Sequence, residues 1–374
     1  MTKPDTNDCT DHTNDQVSPI NLGFVPLTDS APLIVAQSLG YFKKFNLDVK
    51  LRPQNSWSTL RDKLQTGVLD AAQLLAPMPL ASSFGLGSLK VQMSVPMVLS
   101  QNGNAITLSP NLCDEILVAS ELSKLPFPLP AHLLNAIVER RTKNGKPALR
   151  FATVFPYSCH QYQLIDWLKT SNLHHEVEII TIPPSEMSKS LETGLIDGFC
   201  VGGPWNAKSV REGTGVTVLT SFNIWQDRAE KVLGTTHRFY QQQPETVAKL
   251  CAALLLACEW LQSLPNRFEA AKMMADSRYL DEPIDVIAPS LLGSCLTQQT
   301  SAPQSVAHYN RFYSGDASVV NAPSLSVQQW LLTKMVSSGQ LSSEKVAPEQ
   351  QRQILANIAN TECFERALTI LEKA

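Results

Sequence analysis

One short pattern occurs twice in this chain and limits its fold more than any other feature. Thr66-Gly67-Val68-Leu69-Asp70 leads through an apolar run to Pro77-Met78. Thr193-Gly194-Leu195-Ile196-Asp197 leads through Gly198-Phe199-Cys200-Val201-Gly202-Gly203 to Pro204-Trp205-Asn206. A single offset relates the two threonines, glycines, aspartates and prolines. Upstream, Asp48-Val49-Lys50-Leu51 and Glu176-Val177-Glu178-Ile179-Ile180 alternate as strands do, and a short amphipathic helix follows each (Ser58 to Gln65; Ser185 to Glu192). Each helix stops at Thr-Gly, where glycine takes the left-handed conformation that ends helices. The apolar segment after it reads as a buried parallel strand with a Gly/Pro loop at its carboxyl end. Ligands of open α/β sheets sit outside those ends. Two lobes of one design, each with such a loop, predict a cleft between them.

The flanking segments repeat as well. Ile20 to Phe24 reads as a strand, Pro26-Leu27-Thr28-Asp29-Ser30 as its loop, and Leu33 to Leu39 as a helix ending at Gly40. Leu149 to Val154, Phe155 through His160, and Gln161 to Lys169 match them in order. Such a strand–loop–helix aims free N–H groups and a positive dipole end at the cleft. Asn102-Gly103 reads as a tight turn, and Ala131 to Arg141 as one helix among proline-bearing connections. Beyond Pro244 the pattern is helical: Glu245 to Gln262, Phe268 to Ala275, Ile284 to Leu292, Val327 to Ser337 and Glu349 to Lys373. Laid back on the first lobe, these give residues 19–108 plus 232–374 as lobe I and 109–231 as lobe II. Two crossovers then form a hinge.

Net charge is −3, with no basic face, which argues against direct nucleic-acid binding. Residues 1–18 are polar and lack the apolar core of a secretory signal, so a disordered tail and a cytoplasmic protein are expected. No run approaches the ~18 apolar residues of a membrane span. Eight cysteines without a CxxC pair read as buried thiols rather than disulfides or a zinc site. His174-His175 reads as a solvated turn, and Cys159-His160, as sequence neighbours, do not form a nucleophile–base pair.

Several phrases in order resemble the nitrate- and bicarbonate-binding proteins of ABC transporters, and among them the cytoplasmic nitrate/nitrite sensors (NasS type) of bacterial nitrate assimilation. They are Leu27 through Leu33, Ser56-Trp57-Ser58-Thr59-Leu60-Arg61-Asp62, Leu75-Ala76-Pro77-Met78-Pro79, Asn102 through Ile106, Phe155-Pro156 through His160, Asp197 through Asn206, and Glu230-Lys231-Val232-Leu233-Gly234. The resemblance implies a two-lobed α/β fold of the periplasmic-binding-protein-like type II class, closing on a small anion. It implies a binding protein without a cofactor rather than an enzyme; the pyrimidine-forming thiamine-biosynthesis proteins share the general fold, but their cysteine-rich iron motif is missing here. By motif the anion contacts fall on Trp57, Asn104, His160, Gly203 and Lys231. Asn104 stands where the family has glutamine, and Gly203 where transport receptors commonly have glutamate.

Nitrate offers only acceptors, so its site must offer donors. Lys231 supplies charge and three of them, Trp57 an N–H that cannot accept, and His160 one nitrogen or the other. Amides of the Gly202-Gly203 loop add dipoles without bulk. Bicarbonate also donates one O–H, so losing glutamate at position 203 leans toward nitrate or nitrite. The resemblance and the polar first residues together lead to the expectation of a cytoplasmic sensor. Empty, it would hold a response-regulator-type RNA-binding antiterminator; anion binding would release that partner, with no contact to nucleic acid or membrane. The alternative is the solute-binding receptor of an ABC transporter for nitrate or bicarbonate.

Overall fold

A computed structural model of the protein describes residues 19–342 and 347–374; the tail expected over Met1–Ser18 lies outside them. β1 (Ile20–Phe24) pairs in parallel with β2 (Val49–Pro53) on one side and β3 (Ala71–Leu75) on the other. β4 (Met93–Asn102) stays in this sheet, whereas β5 (Asn104–Leu108) joins a second one. There β6 (Leu149–Thr153) lies in parallel between β7 (Val177–Thr181) and β8 (Gly198–Gly202), repeating the first arrangement. β9 (Val216–Thr220) completes the second sheet, and β10 (Ala229–Thr236) returns to the first. The strand order is Asn310–Arg311, β4, β10, β3, β1, β2 in lobe I and β7, β6, β8, β5, β9 in lobe II.

The repeated aspartate has a structural role that its position in the motif explains. Asp70 Oδ2 accepts from the backbone N–H of Asn21 at 2.7 Å, and Asp197 Oδ2 from that of Arg150 at 2.8 Å. Each carboxylate thus ties the start of the third strand of its repeated β–α–β–α–β unit to the start of the first. The two motif glycines take φ of 77° and 70°, the left-handed values a helix stop requires.

Local expectations differ from the structure at several places. The chain changes sheets at Gly103 and again between Trp225 and Ala229, not beyond residues 108 and 231. Asn102 and Gly103 both have positive φ, 62° and 105°, but the turn passes the chain between lobes rather than folding a hairpin. A helix over Pro110–Ser120 escapes the apolar-period reading; Ser109 caps it by accepting from the N–H of Leu112, and proline sits in its first turn. The helix expected over Glu349 to Lys373 breaks into Pro348–Ile358 and Thr361–Glu372, because Asn360 turns its side chain onto the N–H of Cys363 and starts a new helix.

The lobes meet face to face. One apolar cluster contains Val25, Leu27 and Trp57 of lobe I together with Val154, Phe155, Phe199 and Trp205 of lobe II. Backbone bonds join the loops: Thr28 N–H donates to Gly203 O at 2.8 Å, and Gly203 N–H to Gly103 O at 3.3 Å. A strap closes the far side. After the helix Leu325–Ser337, Gln340 accepts from the Tyr162 hydroxyl and donates to Pro156 O, both at 2.7 Å. Lys334 pairs with Asp166, and Lys169 reaches Ser337 O at 3.2 Å. Among the described residues no single helix is long and apolar enough to cross a membrane.

Candidate functional site

The loops at the carboxyl ends of the central strands bring a set of polar side chains into the apolar junction. Asp29 lies in the one-turn helix Thr28–Ser30 after β1, and Trp57 opens the helix Trp57–Gln65, which Ser56 caps. Gln73 is on β3, Asn104 opens β5, and His160 is the second residue of the helix Cys159–Lys169. Glu230 and Lys231 are consecutive on β10. Neighbours in a regular strand face opposite ways, but the pairing of β10 with β4 slips on either side of Lys231. That irregularity aims both side chains inward.

Lys231 is the centre of the cluster. It is fully buried, with Nζ 2.8 Å from Asp29 Oδ2, 3.0 Å from Glu230 Oε1 and 5.6 Å from the centre of the Trp57 ring. Gln73 donates to the other Asp29 oxygen at 2.7 Å. Burial alone would discharge the ammonium; the two carboxylates outweigh it and hold Lys231 protonated, above the ordinary lysine range. Glu230 is raised, because burial outweighs the pull of Lys231 and a hydrogen bond from Asn104. His160 Nδ1 stands 3.7 Å from Glu230 Oε1, too far for a hydrogen bond. Burial and the Lys231 charge push His160 well below its usual value, so its imidazole is neutral.

Among the described residues, several buried polar atoms here have no partner: Trp57 Nε1, both His160 ring nitrogens and Asn104 Oδ1. Buried polar groups are almost always hydrogen-bonded, so such a concentration is what a ligand site shows. Trp57 Nε1 can only donate, and neutral His160 offers one donor and one acceptor. The Asn104 amide N–H₂ is engaged by Gln163 Oε1 at 2.9 Å. Gly203 borders the cluster, but its N–H is spent on Gly103 O, and a Cβ there would stand 2.7 Å from both Ser290 Oγ and Thr28 Oγ1. Glutamate does not fit at this position between closed lobes.

The structure therefore brings Trp57, Asn104, His160 and Lys231 together, with Gly203 at the edge. It adds two acidic groups that the sequence reading passed over. They are Asp29, which the sequence offers only as part of the loop after the first strand, and Glu230, which it offers only as the neighbour of Lys231. Cys159 is buried, its thiol pushed up by burial and then by Glu230, and is no nucleophile. A cavity of about 140 Å³ between the lobes is lined by Val25, Gln54, Pro184 and Trp205. A larger one of about 560 Å³, near Asn135, Thr142 and Glu176, is remote from this chemistry.

The fold is that of a two-lobed solute-binding protein. The chain superposes on the periplasmic nitrate-binding protein NrtA of Synechocystis with a TM-score of 0.85, covering 96% of this chain and 90% of that one at 24% identity. The NMT1-like family model matches residues 13–275. The nitrate/nitrite binding protein NrtA of Synechococcus elongatus is 30% identical over 333 residues, 87% of this chain and 73% of that protein. The nitrate import ATP-binding protein NrtC and the bicarbonate transport ATP-binding protein CmpC, both of Synechocystis, are each 32% identical. The chain spans about half the length of these two relatives, 47% and 49%.

These matches overturn the expectation of a cytoplasmic sensor that sequesters an antiterminator. The relatives are import and binding proteins, one of them a periplasmic one, and the alternative reading as a transport receptor fits them. The expected cytoplasmic location and the expected absence of a membrane partner fall with the sensor. Both had rested on the polar first residues, whose character carries no information about the cleft. The anion motifs themselves cannot separate a sensor from a receptor, since each must close on the same ligand. The reading as a binding protein rather than an enzyme stands. The chain belongs to the NMT1-like family and to the family of the nitrate/nitrite binding protein NrtA.

Proposed function

We propose that the protein is the solute-binding receptor of an ABC-type importer for a small planar oxyanion, nitrate, nitrite or bicarbonate. The observation that carries this reading is a buried ammonium, Lys231, beside the unpartnered Trp57 Nε1 and His160 nitrogens at the junction of two closed lobes. In this reading Lys231 supplies the charge, Trp57 and His160 the directional donors, and Asn104 and the Gly203 loop the walls. The names of the relatives support the ligand class, and they carry two further parts of the proposal: an extracytoplasmic location and docking on membrane-bound permease and ATPase subunits. Calorimetric titration with nitrate, nitrite and bicarbonate, with sulfate as the bulkier dianion control, tests it. A ligand at a hundredfold its Kd stabilises the folded protein by about 2.7 kcal/mol, so thermal unfolding gives a second readout. No binding of any of the three anions sinks the reading.

A further inference from the structure

The cluster already holds more negative than positive charge before any anion enters. Asp29 and Glu230 share the single ammonium of Lys231, His160 is neutral, and all four are buried. A bound monoanion adds a second uncompensated charge among fully buried side chains, where an unpaired charge is strongly disfavoured. Polarity conflicts as well. An ionised carboxylate only accepts hydrogen bonds, and so does nitrate.

One proton removes both conflicts, and the surroundings decide where it sits. Asp29 is held by the Gln73 amide at 2.7 Å and by Lys231 at 2.8 Å. Glu230 is faced by Lys231 on its own strand, by Asp29 from the β1 loop, by Cys159 and His160 from the helix Cys159–Lys169, and by Asn104 and Cys200 from β5 and β8. Of these only Lys231 is a cation, and Asp29 shares it. We propose, resting on the anion-receptor reading, that nitrate is captured together with one proton, which Glu230 takes from solvent. The protonated carboxyl then donates its O–H where the carboxylate only accepted, and the cluster's net charge stays at its empty-state value.

The sign follows from linkage. Bound nitrate raises the Glu230 pKa above its empty-state value. Affinity is therefore full below the empty-state pKa and falls about tenfold per pH unit between the two pKa values. The test is nitrate titration of the full chain at pH 7, 8 and 9, each in phosphate and in Tris, whose ionisation enthalpies differ widely. The dependence of heat on buffer gives the protons taken up. Proton uptake at one or more of these pH values, with Kd rising with pH wherever uptake is measured, is the expected result. Glu230→Gln, which donates from its amide without titrating, is expected to bind nitrate with no uptake and a flat pH profile. Nitrate binding by wild type with zero uptake at all three pH values overturns the proposal, as does uptake that persists in Glu230→Gln. If that variant does not fold, the wild-type series decides alone. Failure to bind nitrate in any buffer removes the receptor reading for nitrate and the proton with it.

Discussion

Replacing Lys231 by methionine keeps most of the side-chain volume and removes the charge with its three N–H donors, so its consequences can be worked from three distances. The ammonium lies 2.8 Å from Asp29, 3.0 Å from Glu230 and 5.6 Å from the Trp57 ring centre, with no exposure to water. In the empty protein the substitution strands buried carboxylates, and breaking a buried pair costs about 3–5 kcal/mol of stability. Toward nitrate it removes the one cation of the cluster. The loss of a desolvated charge partner costs about 2–5 kcal/mol, at least about 30-fold in Kd. Urea unfolding of the empty protein reads the first effect and calorimetry with nitrate the second. The double variant Lys231→Met/Asp29→Asn separates them. Neutralising Asp29 should recover part of the stability, but not the affinity, because the cation is still missing. Nitrate affinity within about twofold of wild type in Lys231→Met refutes the role of the charge. A double variant no more stable than the single one refutes the account of stranded carboxylates.

Four further substitutions test the rest of the framework. Trp57→Phe keeps the ring and deletes the unpartnered N–H; the loss of one hydrogen bond to a charged ligand predicts about 1.5–3 kcal/mol weaker nitrate binding with little change in empty-state stability, read by the same two methods. Gly203→Ala places a methyl group 2.7 Å from Ser290 Oγ and Thr28 Oγ1, so it should wedge the loops apart and lower the melting temperature in the presence of ligand more than in its absence. Asp70→Ala and Asp197→Ala each remove the acceptor of a strand N–H in equivalent places, and each should cost about 1–3 kcal/mol by urea unfolding; markedly unequal costs count against equivalent roles for the two repeats.

How much of this was legible in the sequence depended on whether a signal was local. The repeated Thr-Gly marked the helix stops of both lobes, because each acts within one β–α–β unit; the repeated Asp marked the repeat, but its role as a strand tie shows only in the hydrogen bonds. The resemblance led to Trp57, Asn104, His160 and Lys231, which the fold does gather. Glu230 turns inward beside Lys231 only because of a register slip, which no alternation of residues announces, and Asp29 sits in a one-turn helix that its sequence does not mark as part of the site. The crossing at Gly103 was hidden for another reason: positive φ at Asn-Gly serves a hairpin and a change of sheet equally well. That the lobe-joining glycine leaves no room for a side chain is a fact of two loops far apart in sequence, and only the assembled structure holds it.

The strap through Gln340 bears on how long a captured ion stays. Every candidate contact in the cluster is sealed from solvent, so an ion leaves only when the lobes part. The helix that carries His160 is the same one that Gln340, Lys334 and Ser337 hold through Tyr162, Asp166 and Lys169. Release then has two locks in series, one on the ion and one on the strap, and only the first responds to the identity of the ion. Residence times of different anions should therefore differ less than their affinities, with the remainder appearing in their association rates. Gln340→Ala, which touches no candidate contact, should shorten the residence of every anion by a similar factor in stopped-flow displacement.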